Sequence, residues 1–158
     1  MKITIRKGTR KDLPSVLALV HELAEYERAP DAVTNTLKMM KRDYAGRNPL
    51  FRFFVAEDNK KIVGIALYYI KYSTWLGKCL YLDDIVVTET YRRKNIGSKL
   101  FETIILESKK QKAGKLEWQV LDWNEPAIKF YKKYNAHFQP DWITCKLTVE
   151  QLKAWKVK

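Results

Sequence analysis

Apolar residues recur along this chain with two periods, and the switches between those periods divide it into elements. Ile3 and Ile5 alternate with Lys2, Thr4 and Arg6, the pattern of a half-buried first strand. Leu13, Val16, Leu17, Val20, Leu23 and Ala24 then repeat at helical spacing. Residues 9–12 supply helix-start signals, Pro14 suits a first turn, and the helix is expected to end near Tyr26, before Pro30. Thr34 is placed to cap a second helix carrying Leu37, Met40 and Tyr44. Residues 51–57 read as a strand, 58–60 as a turn and 62–70 as an antiparallel partner, in which Gly64 marks a bulge or a tight backbone approach.

After a loop with Trp75 and Gly77, the run 80–87 is apolar and rich in β-branched residues, as a buried strand is. A basic turn follows, and Leu100, Phe101, Ile104 and Ile105 return to the helical period until Gly114. Residues 116–121 form another apolar strand. Asn124 then caps a helix with Pro126 in its first turn and Ile128, Phe130, Tyr131 and Tyr134 along it. Residues 137–147 are strand-like, although Pro140 interrupts them, and Thr148 opens a capping-box spacing for a short last helix ending near Trp155. The reading is one α/β domain over residues 1–158, of order βααβββαβαβ plus a short C-terminal helix. Its sheet is mixed, because the three middle strands are joined by hairpin-short links.

Composition narrows the partners. Thirty Lys and Arg against eighteen Asp and Glu give a formal charge of +12, which favours a polyanionic partner without naming it. Two cysteines, Cys79 and Cys145, are too few for a disulfide framework and suit a reducing compartment. Two His and two Cys at these spacings build no metal site, so no metal is expected. The charged N-terminus lacks a signal-peptide core, and no run reaches the length of a membrane-spanning helix. A cytoplasmic location, away from membranes, is the expectation.

The chemistry gathers between residues 81 and 101. Strand, basic turn and helix N-terminus make an anion site, since free backbone N–H groups and the helix dipole point into the turn. Asp83 and Asp84 lie on the preceding strand. By period-two alternation they face opposite ways, so only one is expected to line a given pocket.

The turn Arg92, Arg93, Lys94, Asn95, Ile96, Gly97 resembles the pyrophosphate turn of the Gcn5-related N-acetyltransferases, Arg/Gln-x-x-Gly-x-Gly/Ala. Asn95 stands where that pattern has its first Gly, and Asn tolerates a left-handed backbone best after Gly. Four further stretches are similar to the spermidine/spermine N1-acetyltransferase group: residues 21–27, 68–78, 81–84 and 123–132. The last carries Asn124, Glu125, Pro126 and Tyr131 in a specific arrangement. The resemblance spans nearly the whole chain.

That resemblance implies acetyl-CoA as cosubstrate, a small-molecule amine as acceptor, and a homodimer with the late strand region and C-terminus at its interface. Acetyl transfer to an amine needs a neutral nucleophile, because aqueous amines are mostly protonated at pH 7. Asp83 matches the family's central-strand Glu. It is one methylene shorter, so a water relay is expected. Tyr131 matches the general acid; a phenol of pKa about 10 protonates a thiolate of similar basicity. Backbone groups of Ile85, Val86 and Val87 pair with the pantetheine arm and polarise the acetyl carbonyl. The diphosphate sits on the amides of Arg93, Lys94, Asn95, Ile96, Gly97 and Ser98, with charge from Arg92 and Arg93. Asn124, Pro126 and Ala127 complete the coenzyme site. Tyr26, Glu27, Trp75, Asp83 and Asp84 correspond to the amine pocket, where Glu27 holds a cationic tail and Trp75 offers a cation–π face.

The polyamine enzymes carry an acidic residue where this chain has Ser73. With that carboxylate missing and a charge of +12, a diamine, a lysine-like amino acid or a thialysine-like analogue fits better than a long polycation. His21 and His137 read as structural or surface residues, and nothing near Cys79 suggests an activated thiolate. Two other readings stand beside this one: a basic nucleic-acid-binding module, drawing on Lys99, Lys109, Lys110, Lys112 and Lys115, and an acetyl-CoA binder without catalysis. The first lacks a nucleic-acid motif, so nucleic acid is the less favoured partner.

Overall fold

In the computed structural model, which describes residues 2–156, every strand lies in a first unit running to Gln119. A second unit begins at Val120. The first unit runs β1 (Ile3–Lys7), α1 (Leu13–Tyr26), α2 (Leu37–Asp43), β2 (Arg52–Asp58), β3 (Lys61–Ser73), β4 (Gly77–Val87), α3 (Ile96–Lys110) and β5 (Leu116–Glu117). Strand order follows chain order; β1 to β4 are antiparallel, and β5 joins β4 in parallel. The β2–β3 hairpin closes through Asn59 and Lys60, both at positive φ, the conformation that matches strand twist in a two-residue turn.

Two layers cover the sheet. Leu13, Val16, Leu19 and Met40 of α1 and α2 form one core with Phe53, Val55, Ile65, Leu67 and Val86. On the other face α3 buries Leu100, Phe101 and Ile104. Gly64 lies on this second face. A Cβ there would stand 3.0 Å from the Val86 carbonyl and 3.2 Å from Leu100 Cδ1, so the expected tight approach is present. A bulge at the neighbouring Val63 also breaks the β2–β3 register. The entry to α1 is held by Arg6, which reaches both Asp12 oxygens at 2.8 Å and Glu57 at 2.6 Å. First its hydrogen bond from Arg6, and with it those from Thr9, hold the Asp12 carboxyl down at about 2.

The second unit contains α4 (Glu125–Lys132) and α5 (Val149–Ala154). Thr148 caps α5 in the anticipated capping box. Three expectations are corrected. Residues 137–147 form no strand; Pro140 lacks a ladder N–H, and Trp142 and Ile143 are 74% and 86% exposed. Strand β5 stops at Glu117 rather than Leu121, because β4 changes register just past the two residues that β5 pairs with. The cap of α2 is Thr36, whose Oγ1 accepts from Met39 N, and not Thr34.

Gly64→Ala is expected to destabilise the protein by about 1–3 kcal/mol, since the nearest neighbour is backbone. The measurement is a shift in denaturant midpoint; a midpoint at or above the wild-type value would show that the Val86 carbonyl moves aside.

Candidate active site

The central strand does not alternate regularly. Leu67 opposes Asp84 while Tyr68 opposes Leu82, so Asp83 is the extra residue of a bulge. Asp84 lies on the α1 face with its partner Leu67 and with Val86. Leu82 lies on the α3 face with Tyr68, which bonds to Glu107 of α3. Asp83, next to Leu82 in the pleat, therefore turns back to the α1 face. Its charge is felt there by Tyr69 and Tyr81. The expectation that the two aspartates face opposite ways is corrected: the bulge sets both on one face. Strand sequence carries no mark of that insertion, and periodicity alone could not reveal it.

Glu27, the residue that caps α1 at its C-terminal end, joins them. Burial raises the Glu27 and Asp83 carboxyls above the ordinary range. Asp84 is pushed up to about 7, first by burial and then by the negative charges of Asp83 and Glu27. Three carboxylates sharing a half-buried face resist ionising together, and a cation arriving among them relieves that cost.

At the far end of β4, Ile85, Val86 and Val87 pair with Ala66, Ile65 and Gly64 of β3. On the opposite edge β5 reaches only Leu80 and Tyr81, and among the described residues no strand pairs β4 there from Leu82 to Val87. Main-chain donors and acceptors along that edge suit an extended amide chain such as pantetheine.

The basic turn folds as anticipated. Asn95 takes φ 58° and ψ 13°, left-handed, and Arg93 also has positive φ. Ile96 is buried and anchors the first turn of α3. Arg93, Lys94 and Asn95 are exposed. Arg92 folds back instead: its Nε donates to the Val87 carbonyl at 3.0 Å, its guanidinium lies 5.0 Å from the Tyr26 ring centroid, and Glu22 stands 3.7 Å away. Arg92 thus ties strand end, turn and α1 together. A Cβ at Gly97 would meet nothing nearer than Val87 Cγ2 at 4.0 Å. Protein packing does not require that glycine, whereas a diphosphate lying against the turn would. Ser98 is half-buried beside it. The turn fits the coenzyme's phosphates in backbone shape and charge.

Trp75 is not brought to the carboxylates. It sits on the β3–β4 hairpin tip, 87% exposed, and Ser73 Oγ accepts from Trp75 N and Leu76 N there. Strand rise sets the tip about 23 Å from Asp84. Tyr26 stays at the end of α1, near Arg92.

In the second unit, Asn124 caps α4, its Oδ1 accepting from Ala127 N at 3.3 Å, with Pro126 in the first turn. Tyr131 is buried, and its ring lies edge-on to Phe130 at 5.2 Å.

A mixed sheet with an open central edge, an anion turn leading into a helix and an acidic cluster beside the strand fit an acyl-CoA-dependent transferase. Residues 16–136 match the model of the Acetyltransferase (GNAT) family, and the chain belongs to it. It is 35% identical over 142 residues to a thialysine N-epsilon-acetyltransferase from Sus scrofa, covering 85% of this chain and 84% of that one. Identity to the L-ornithine N5-acetyltransferase NATA1 of Arabidopsis thaliana is 32% over 144 residues, 89% of this chain and 61% of that protein. An aminoglycoside acetyltransferase from an uncultured soil metagenomic sample shares the fold with a TM-score of 0.78 at 20% identity, over 92% and 97% of the two chains.

Gly97→Ala separates the ligand's demand from the protein's. The substitution is expected to leave the melting temperature unchanged or slightly higher, since Ala outranks Gly in a helix by roughly 1 kcal/mol. Coenzyme A affinity, read by calorimetry, is expected to fall about tenfold. Unchanged affinity would remove the diphosphate from this turn.

Proposed function

We propose that this N-acetyltransferase moves an acetyl group from acetyl-CoA directly to a primary amine of a small diamine or lysine-like amino acid, within a ternary complex on a single domain. The carboxylate cluster of Glu27, Asp83 and Asp84 carries the reading. An ammonium group is the natural ligand of three crowded carboxylates, and a proton acceptor near pH 7 is what an amine nucleophile requires.

Bound acetyl-CoA would supply the thioester carbonyl. Glu27 draws in the cationic end of the acceptor, with Tyr26 beside it. Asp83 accepts the ammonium proton through a water, and Asp84 on the same face tunes that acceptor. The freed amine nitrogen bonds to the carbonyl carbon as backbone N–H groups of the Ile85–Val87 edge hold the developing oxyanion. The carbon–sulfur bond then breaks as Tyr131 gives its proton to the departing thiolate, and the second proton of the attacking nitrogen passes to the tyrosinate, leaving the neutral amide and restoring Tyr131. Arg93 to Ser98 bind the diphosphate, and Asn124, Pro126 and Ala127 also contact the coenzyme. Trp75 enters this scheme only through a partner copy or a moving hairpin, given its place at the tip.

A homodimer suits the second unit. Trp142, Ile143, Leu147, Leu152 and Trp155 are all more than half exposed, an apolar set that a partner would cover.

Acetyl-CoA-dependent thiol release is expected with small diamines or basic amino acids, and weakly or not at all with spermidine or a lysine peptide. Tyr131→Phe is expected to lower kcat about 10²-fold or more with coenzyme affinity retained. Silence across all amines would overturn the reading. The pH dependence adds a second check. Because the Asp84 carboxyl beside Asp83 is pushed up to about 7, the cluster loses that negative charge as pH falls and holds the ammonium less well, so kcat/KM should climb through about pH 7 to a plateau. In Asp84→Asn the climb should move down toward the ordinary carboxylate range, and an unmoved limb would show that it does not come from Asp84.

A further inference from the structure

One row of side chains on the carboxylate face has no part in the scheme above. Tyr69 and Tyr81 oppose each other across β3 and β4 and stack with centroids 5.1 Å apart. Glu117 continues the row as the register partner of Tyr81 on β5. Lys71, two residues from Tyr69 and so on the same face, crosses over the Tyr81 ring with its Nζ 5.4 Å from the centroid. It donates to Glu117 Oε1 at 2.7 Å. Lys115 Nζ lies 2.6 Å from Glu117 Oε2. That oxygen is buried and accepts no well-directed hydrogen bond, so the Lys115 contact is a pairing of charges.

Two ammonium groups thus share one carboxylate. Burial would raise Glu117, but Lys115 and Lys71 outweigh it and hold the carboxyl below its usual value, so the carboxylate stays ionised and the cluster keeps one net positive charge. Both lysine side chains remain open to solvent, at 43% and 40%. An ammonium has three donors, and Lys71 has one directed at Glu117.

The cluster sits at a useful distance. One two-residue step along β4, about 7 Å, separates Asp83 from the Tyr81 row over which Lys71 leans. An extended basic amino acid spans about 6–8 Å from side-chain nitrogen to carboxylate carbon. The face is therefore negative at one end and positive at the other, one amino-acid length apart. A diamine would bring its second ammonium against the lysines, whereas a carboxylate would complete their pairing.

Resting on the proposed amine acetylation, we infer that Lys71, supported by Lys115, is a specificity residue that reads the α-carboxylate of a basic amino acid and turns away the corresponding diamine. The ion pairs also strap the two-residue strand β5 to β3, so the test must separate recognition from support.

Steady-state kinetics would compare L-ornithine and L-lysine with their decarboxylated counterparts, 1,4-diaminobutane and 1,5-diaminopentane. Wild type is expected to show the lower KM for the amino acids. Lys71→Met keeps the apolar stem over Tyr81; it should raise KM for the amino acids about tenfold, leave kcat within about twofold, and leave the diamines unchanged or improved. Lys71→Arg should restore the preference, and Lys115→Met should shift it the same way as Lys71→Met. A preference of wild type for diamines, or equal KM changes for both members of a pair, would overturn the inference while acetyl transfer stands. Loss of stability in Lys71→Met with the preference retained in that variant and in Lys115→Met would assign the cluster to support alone. No turnover of any amine by wild type would end both this inference and the reading beneath it.

Discussion

Neighbouring residues of a regular strand cannot face the same way, and the site depends on breaking that rule once. The extra residue in β4 turns Asp83 onto the face that Asp84 already occupies. The pairing is expensive, because burial and mutual repulsion both oppose ionisation. In the function proposed above, that expense is also the means of selection, because a cation relieves it. The same insertion alters the other edge. Strand β5 pairs just ahead of the bulge and no further, and the backbone beyond it is left for a ligand. One inserted residue therefore sets both the acid cluster and the open ladder beside it.

The basic turn solves a different problem with a similar economy. A helix N-terminus attracts an anion only if the chain can double back into it without filling the space. Asn95 supplies the left-handed residue, Ile96 fixes the turn into the core, and Gly97 keeps the surface bare. Arg92 does not lend its charge outward as its position in the motif suggests. It is tied to Val87, Glu22 and Tyr26, and so links the basic turn with the end of α1 where Glu27 stands.

Much of this was legible in the chain. The periodic runs located β1 to β4, α1 and α3, because each buries one face against a continuous core. Asn95 announced its backbone, and the segments around Asp83 and Tyr131 announced the family. The bulge at Asp83 was not legible, since it arises from the register between two strands and leaves no mark on either. Lys71, Glu117 and Lys115 gave no signal either, because strand pairing joins residues far apart in sequence. Residues 137–147 misled in the opposite sense. Their alternation and β-branched content suit a strand, yet a strand exists only where a ladder partner does, and Pro140 removes one donor.

Cys79 sits in β4 with no exposed surface, four residues before the bulge, while Cys145 is exposed. The two thiols therefore report on different events. A reagent that alkylates sulfhydryls would consume Cys145 at once and Cys79 only when the centre of the sheet opens. The slow phase of labelling is a built-in clock for breathing of the strand that carries the acid cluster, readable without adding any probe to the chain.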